Sequence, residues 1–311
     1  MKNNFSQLPP ISKLGIVALV SLVLFFVSFI IAAVLAIPIF GVESFTSMIG
    51  SSIQISDKNI PFLKYMQMVQ SVGLFIIPSL FIAYLFGPSV SEYLRLKKTP
   101  YLRSILFAVL IILVSNPIIN LTGEINSKLT LPGFLSGLEN WMKASEEAAA
   151  QLTKLFLKMD SFGGLLFNLI LIALIPAIGE EFLFRGIIQR IFKEWTKNNH
   201  WAIWISAVLF SALHFQFYGF VPRVILGAMF GYLFVISGNL WLPVITHFVN
   251  NAAAVIAFYY YDQGVLKVDP EEIGINTQYQ FAAIVSLAFT IFLFYAFKKF
   301  EDSKNQKLRL D

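Results

Sequence analysis

The sequence contains no cysteine, only three histidines and few charged residues: 13% of its 311 residues are charged, while 57% are hydrophobic. The absence of cysteine excludes disulfides, thiolate metal sites and cysteine nucleophiles. Soluble domains carry about 25% charged residues, so this composition and a mean hydropathy of +0.72 indicate a membrane protein. Because the chain has no cysteine, any chemistry must use carboxylates, imidazoles, hydroxyls or amides.

Eight apolar segments predict an all-α polytopic bundle, because about 20 apolar residues cross a hydrocarbon core of about 30 Å. They are residues 14–40, 67–87, 101–121, 162–192, 200–217, 221–236, 240–261 and 279–298. No soluble domain or internal repeat interrupts them. Residues 1–311 are thus predicted to form one membrane-embedded domain of about eight transmembrane helices. The expected location is a cell membrane, such as a bacterial inner or plasma membrane, with the lipid bilayer as a partner.

Lysines and arginines cluster in alternate flanks of these segments, and the opposite flanks are acidic or mixed. The basic residues are Lys2, Lys13, Arg95, Lys97, Lys98, Arg103, Arg190, Lys193, Lys197, Lys298, Lys299, Lys304, Lys307 and Arg309. Short cytoplasmic loops carry such an excess, so both termini are predicted to be cytoplasmic. The net charge of +5 is explained by topology, and no nucleic-acid partner is expected.

The longest connection, residues 122–161, is predicted to be extracytoplasmic and to contain an amphipathic helix. Apolar residues recur there at near-helical spacing: Leu138, Trp141, Ala148, Leu152, Leu155 and Met159. Such a pattern favours a helix that lies against the outer surface of the bundle.

Three Glu-Glu pairs differ in their surroundings. Glu146-Glu147 and Glu271-Glu272 have polar neighbours and are predicted to be solvated, whereas Glu180-Glu181 lies in the apolar stretch IPAIGEEFLFRGIIQRIF. Ionisable residues at membrane depth cost about 2.5–3.5 kcal/mol each on insertion scales, so they normally face the bundle interior and serve a function.

On a helix, Glu181 and Arg185 are four residues apart and share a face, which allows a charge pair. Glu180 points about 100° away and is free to face elsewhere. The alternative is that all three are helix-end residues whose charged groups reach the cytoplasmic interface.

Two of the three histidines, His214 and His247, lie within apolar segments, while His200 lies in a polar connection and is predicted to be at the surface. His247 and Asn251 are four residues apart and share a helical face. Such a pair can be a metal ligand with its supporting partner, two donors for an oxyanion, or a polar clamp between helices.

Two hydrolytic schemes suit these groups. A carboxylate beside an imidazole can deprotonate water, while imidazole and carboxamide donors stabilise the oxyanion of a peptide bond under attack. If His214, His247 and a glutamate instead hold zinc, the metal performs both tasks. Neither scheme needs a serine or cysteine nucleophile.

Three motifs, in order on successive segments, resemble the CPBP intramembrane proteases. They are Glu-Glu-x-x-x-Arg (Glu180, Glu181, Arg185), Phe-x-x-x-His (Phe210, His214) and His-x-x-x-Asn (His247, Asn251). This family includes relatives of the eukaryotic Ras-converting CAAX prenyl endopeptidase and abortive-infection-like proteins of bacteria. The resemblance covers residues 160–260, which would form the catalytic core.

The resemblance implies an endopeptidase that acts on membrane-associated proteins or peptides. By analogy, Glu180 and His214 would activate the attacking water, and His247 and Asn251 would bind the oxyanion.

The resemblance also implies supporting roles for Glu181 and Arg185. Family members are usually described as metalloproteases, and a metal-free glutamate mechanism has also been argued for them. If zinc is used, Glu180, His214 and His247 are the expected ligands.

Counting residues along the predicted helices gives the depth of each site residue in the membrane. Glu180 comes about 28 Å from the outer end near Ser161, and His247 about 10 Å from the cytoplasmic boundary. These depths predict a pocket that opens toward the cytoplasm. His214, counted from His200, lies about 21 Å deep, which requires a later helix start or a tilt.

Two other functions use the same residues. One is a non-catalytic membrane scaffold, such as an immunity or secretion factor, although every motif position is filled here. The other is a proton or ion transporter with these groups as relays. Many transporters contain paired half-repeats with interrupted helices, and the sequence shows no such symmetry.

Overall fold

The computed structural model describes residues 4–49, 59–267 and 280–307. Every regular element within these ranges is helical, and none is a strand, so the predicted all-α class is confirmed. The predicted solvated pair Glu271-Glu272 lies outside the described residues, as do Lys2 and Arg309.

The helices of the described residues run in chain order as follows. They are α1 (Pro10–Ile49), α2 (Ile60–Phe86), α3 (Val90–Tyr93), α4 (Leu102–Ser127), α5 (Ser136–Leu157), α6 (Phe162–Thr196), α7 (Asn199–Ala212), α8 (Phe220–Ser237), α9 (Trp241–Asp262) and α10 (Gln280–Lys307). Short 3-10 turns at Asn4–Gln7 and Gly133–Leu135 precede α1 and α5. Helix α2 contains a π-helical turn at Val72–Ile76, and α6 contains two, at Leu169–Leu174 and Phe184–Ile188.

Among the described residues, 7 helices are long and apolar enough to cross a membrane, namely α1, α2, α4, α6, α8, α9 and α10. They correspond to seven of the eight predicted segments, and the chain is a multi-pass membrane protein.

The exception is the predicted segment 200–217, because α7 has 14 residues and ends at Ala212. A helix of that length rises only about 21 Å. Phe215 then adopts a left-handed backbone with φ of 52°, and residues 213–219 form the α7–α8 loop. The predicted cytoplasmic location of both termini stays a prediction.

Helix α6 lies at the centre of the bundle. It packs against α2, α7 and α9, while α10 packs along α4 and α8 along α7. The whole turn Phe184–Ile188 is buried. Small residues allow the close approach of α8: a side-chain carbon on Gly231 would lie 2.9 Å from Ile203 of α7. Close helix packing at small residues is typical of membrane bundles, and it fixes the position of the buried polar groups of α6.

Gly179 of α6 faces the π-helical turn of α2, and we expect Gly179→Ala to lower stability. An added Cβ would lie 2.8 Å from Cβ of Phe75 and 3.1 Å from Cγ1 of Ile76. Overpacking of this kind costs about 1–3 kcal/mol. Thermal unfolding in detergent should show a lower Tm. The control is Gly137→Ala in α5, where a Cβ meets nothing within 4 Å; an equal loss in both variants would contradict the prediction.

Helix α5 (Ser136–Leu157) falls within residues 122–161, where an amphipathic helix is predicted, and it lies across the α7–α8 loop. The Trp141 ring packs 5.3 Å from that of Phe217, and the Ser145 hydroxyl donates a hydrogen bond of 3.2 Å to the carbonyl of Phe215. At its end, Phe156 and Leu157 are buried. The helix therefore covers one end of the bundle, near α2 and α9.

Candidate active site

Two π-helical turns of α6 flank the α-helical segment Ile175–Leu183, which carries Glu180 and Glu181. Pro176 of this segment has no N–H to donate, and the π-helical turn Leu169–Leu174 ends just before it. π-Helical turns redirect side chains and frequently occur at functional sites. The local backbone thus changes register immediately before and after the two glutamates.

Glu181 and Arg185 form the predicted charge pair. Nη1 of Arg185 lies 2.7 Å from Oε1 of Glu181, and the two side chains are only 1% and 0% exposed. Nη2 of Arg185 donates a hydrogen bond of 2.8 Å to the carbonyl of Gly227 on α8. Burial at this level contradicts the alternative of helix-end residues whose charged groups reach the interface.

Aromatic rings enclose this pair. The Arg185 guanidinium lies 4.7 Å from the ring centre of Phe210 and 5.4 Å from that of Phe230. Cation–π contacts of desolvated guanidinium groups contribute up to about 2 kcal/mol. Phe210, which the sequence identified only as part of a motif, therefore packs directly on the charged pair.

His247 joins the two glutamates. Its Nδ1 lies 2.9 Å from Oε1 of Glu181, and its Nε2 lies 3.8 Å from Oε2 of Glu180. An ionised carboxylate only accepts hydrogen bonds, so Nδ1 carries the proton of this contact. The imidazole also stacks on Phe230, with ring centres 5.0 Å apart. Glu181 thereby orients His247 and leaves Nε2 directed toward Glu180.

His214 lies in the α7–α8 loop, two residues beyond the end of α7, and not within a spanning helix as predicted. Its Nδ1 is 2.8 Å from the carbonyl oxygen of Phe210. A carbonyl only accepts, so Nδ1 donates and Nε2 holds the lone pair of the neutral ring. His214 and His247 thus both bond to the protein through Nδ1 and keep Nε2 for other partners.

The apparent depth conflict at His214 disappears once the helix bounds are known. Helix α6 continues to Thr196 and α7 begins at Asn199. Measured from this α6–α7 turn, Glu180 lies about 24 Å along α6 and His214, just past the end of α7, about 22 Å away. Counting the two residues from opposite membrane faces produced the discrepancy.

Asn251 is held in a defined orientation. Its Nδ2 donates a hydrogen bond of 3.3 Å to the carbonyl of Ile172, in the first π-helical turn of α6, and its Oδ1 accepts one of 3.2 Å from Nδ2 of Asn250. One N–H of the Asn251 amide remains for a further acceptor.

Glu180, His214, His247 and Asn251 line one cavity of about 480 Å³. Glu181 and Arg185 do not line it; the former lies behind His247 and orients it. Helices α2 and α5 complete the wall with Gln67, Gln70, Ala149, Leu152, Thr153 and Phe156. The four predicted residues therefore converge.

The cavity lies toward the end of the bundle that α5 covers. Because α5 belongs to the connection predicted to be extracytoplasmic, the prediction of a pocket that opens toward the cytoplasm is wrong within that orientation. The physical reason is that α6 continues beyond Glu180 to Thr196, a rise of about 24 Å, so Glu180 lies far from the α6–α7 end of the bundle.

Arg223 of α8 also lines this cavity, and the sequence analysis missed it. Its Nη2 donates a hydrogen bond of 2.7 Å to Oε1 of Gln216, and its charge interacts with Glu146 and Glu180. Glu146 accepts a hydrogen bond of 3.2 Å from the backbone N–H of Tyr218, so it is not the freely solvated residue that was predicted. An arginine inside the apolar segment 221–236 was the signal for this group.

The residues predicted to bind zinc do not form a metal-binding group as they are placed. Across the three described ranges, no group of three or more His, Cys, Asp or Glu side chains is arranged to hold an ion. The zinc-assisted scheme stays a prediction, and no step below depends on a metal.

Comparisons with known proteins agree with the motifs. Residues 162–253 match the family described as type II CAAX prenyl endopeptidase Rce1-like. This segment contains all seven motif residues, so the match confirms the predicted resemblance to the CPBP family of CAAX-protease-like membrane proteins.

Among curated proteins, the chain is 29% identical over 89 residues to "Uncharacterized protein YpbD" of Bacillus subtilis (strain 168). That similarity covers 27% of this chain and 42% of the relative, so the chain spans less than half of the relative's length. No solved structure matches the chain.

Proposed function

We propose that this protein is an intramembrane endopeptidase that hydrolyses peptide bonds of membrane-associated substrates with water activated by Glu180 and His214. The observation that carries the proposal is the convergence of Glu180, His214, His247 and Asn251 on one cavity, in the segment that matches the CAAX prenyl endopeptidase family.

Glu180 is the proposed general base. Its side chain is 12% exposed and lines the cavity, unlike that of Glu181. The carboxylate accepts a proton from water as the water oxygen attacks the peptide carbonyl, and it then returns the proton to the leaving amine. The Nε2 lone pair of His214 accepts a hydrogen bond from the same water and orients it.

His247 and Asn251 are the proposed oxyanion donors. The contact of His247 Nδ1 with Glu181 directs Nε2 into the cavity, and in this scheme an N–H at Nε2 donates to the developing negative charge. Asn251 adds its remaining amide N–H. Donors fixed in advance by the protein need no reorganisation during the reaction, which is why they stabilise oxyanions effectively.

The test is cleavage of membrane-tethered peptides, including a prenylated CAAX peptide, by the purified full chain in lipid bilayers, followed by mass spectrometry. Cleavage that His214→Ala abolishes is the expected result. Ion flux across the bilayer that depends on Glu180 or His214, without cleavage, would instead support a transporter. Inactivity toward every peptide, together with absent flux, would favour a scaffold.

Cleavage assays after treatment with a zinc chelator distinguish the two hydrolytic schemes. Cleavage that persists after dialysis against a zinc chelator supports water activation by Glu180 and His214 alone. Loss of cleavage that added zinc restores would assign Glu180, His214 and His247 as the ion's ligands.

Asn251→Ala is expected to reduce kcat by about 10²–10³, the effect of removing one oxyanion donor, with a smaller change in KM. Steady-state kinetics on the cleaved peptide measures both constants. The control is Asn116→Ala in α4, whose amide donates to the carbonyl of Leu113 and does not line the cavity. Equal kcat values for Asn251→Ala and the wild type would remove Asn251 from the oxyanion site.

A further inference from the structure

A second cavity, of about 520 Å³, lies at the opposite end of the bundle from α5. It is formed between α1, α2, α6, α7 and α8, beside the α6–α7 turn. Five basic residues line it against one carboxylate, that of Glu194. The basic residues are Lys13, Arg95, Arg190, Lys193 and Lys197.

Most of this positive charge is not neutralised by the protein. Lys13 forms an ion pair of 2.7 Å with Glu194. Arg95 and Arg190 contact aromatic rings, with the guanidinium of Arg190 4.2 Å from the ring centre of Tyr93. Within the described part of the chain, neither arginine forms a direct ion pair with a carboxylate, nor do Lys193 and Lys197, although Glu194 also interacts electrostatically with Arg190.

Buried polar atoms in the cavity wall also lack partners. Nη1 of Arg190, Oδ1 of Asn199 and Oε1 of Gln189 are inaccessible and make no hydrogen bond to any described residue. Leaving one such group unsatisfied costs about 1–3 kcal/mol. Oε1 of Gln189 packs against Gly231 of α8, and the unpartnered Arg190 Nη1 and Asn199 Oδ1 suit a ligand that has acceptor oxygens for the guanidinium and a hydroxyl or amine donor for the amide oxygen.

Two exposed tryptophans beside the cavity indicate that it lies near the membrane–water interface. Trp195 and Trp201, on the two sides of the α6–α7 turn, expose large apolar surfaces, and exposed tryptophans mark the membrane–water interface. Phe86, Phe234 and Val235 form the apolar part of the wall. Basic pockets between helices at this level suit phosphate-bearing lipid headgroups.

We propose that this cavity binds the phosphate-bearing headgroup of an anionic phospholipid. Arg190, Lys193 and Lys197 contact the phosphate, and Asn199 accepts from the polar substituent of the headgroup. The bound headgroup would lie beside the α6–α7 turn, next to the ion pair of Lys13 and Glu194 that joins α1 to α6. This proposal is independent of the proposed protease activity.

Thermal unfolding of the full chain in detergent, titrated with phosphatidylglycerol, tests the proposal. Phosphatidylcholine with the same acyl chains and inorganic phosphate are the comparison probes. We expect phosphatidylglycerol to raise Tm in a saturable manner and phosphatidylcholine to have little effect. An equal rise with inorganic phosphate would assign the site to the free anion, whereas equal shifts with both lipids would overturn an anionic site.

The variant Lys193→Gln/Lys197→Gln tests the location, because both side chains are exposed and the fold tolerates their change. A contribution of about 1 kcal/mol per basic residue near anionic lipid corresponds to a loss of affinity of about 30-fold for the pair. Lys128→Gln/Lys143→Gln removes two exposed charges at the other end of the bundle and is the matched control. Unchanged affinity in the double variant would overturn the proposal. This test does not depend on whether Arg190→Gln, a substitution at a more buried position, still folds.

Discussion

Replacing Glu180 by glutamine is expected to abolish detectable cleavage, with kcat lower by about 10²–10⁴, the usual contribution of a general base. Glutamine keeps the size of the side chain but cannot accept the proton of the attacking water. Glu180 is outside the buried pair of Glu181 and Arg185, so the fold is expected to persist. Cleavage of membrane-tethered peptides, quantified by mass spectrometry, measures the effect.

The matched control for Glu180→Gln is Glu147→Gln, which makes the same chemical change at an exposed position of α5. Its cleavage rate should equal that of the wild type. If Glu180→Gln cleaves as fast as the wild type while its Tm is unchanged, Glu180 is not the base, and a contaminating protease becomes the explanation of the signal.

Glu181→Gln is expected to cause the largest loss of stability. The substitution leaves the charge of Arg185 without its carboxylate in a site where both side chains are fully enclosed. Removing one partner of a buried ion pair typically costs about 3–5 kcal/mol, because the other charge stays buried and unpaired. Denaturant unfolding in detergent should show the decrease in the free energy of unfolding.

A second glutamate–basic pair with the same spacing provides the control. Glu124 contacts Lys128 at 2.6 Å, but the side chain of Lys128 is 70% exposed, and exposed pairs contribute only about 0–1 kcal/mol. Glu124→Gln should therefore change stability little. If Glu181→Gln is equally mild yet cleavage falls, Glu181 acts by positioning His247 and not by stabilising the bundle.

Several features of the site were predictable because they depend on residues close in sequence. The pair of Glu181 and Arg185 follows from the helical repeat, which places residues four apart on one face. The same repeat separated Glu180 from that face, and the structure places Glu180 on the cavity and Glu181 behind it. Hydropathy identified seven spanning helices and the amphipathic α5.

Other features required the tertiary structure. The contact between Glu181 and His247 joins residues 66 positions apart, and no local periodicity encodes it. Arg223 became part of the site only when α8 packed beside α6. The closure of the cavity by α5 depends on contacts such as that of Trp141 with Phe217, which hydropathy cannot predict.

The sequence by itself determined the membrane class, the approximate spans and the residue types of the site, because hydrophobicity and helical spacing act over a few turns. Only the tertiary structure decided that α7 is short, that His214 lies in a loop, and which end of the bundle holds the cavity. Those outcomes depend on where α6 and α7 end and on where distant helices approach each other, which are properties of packing and not of local composition.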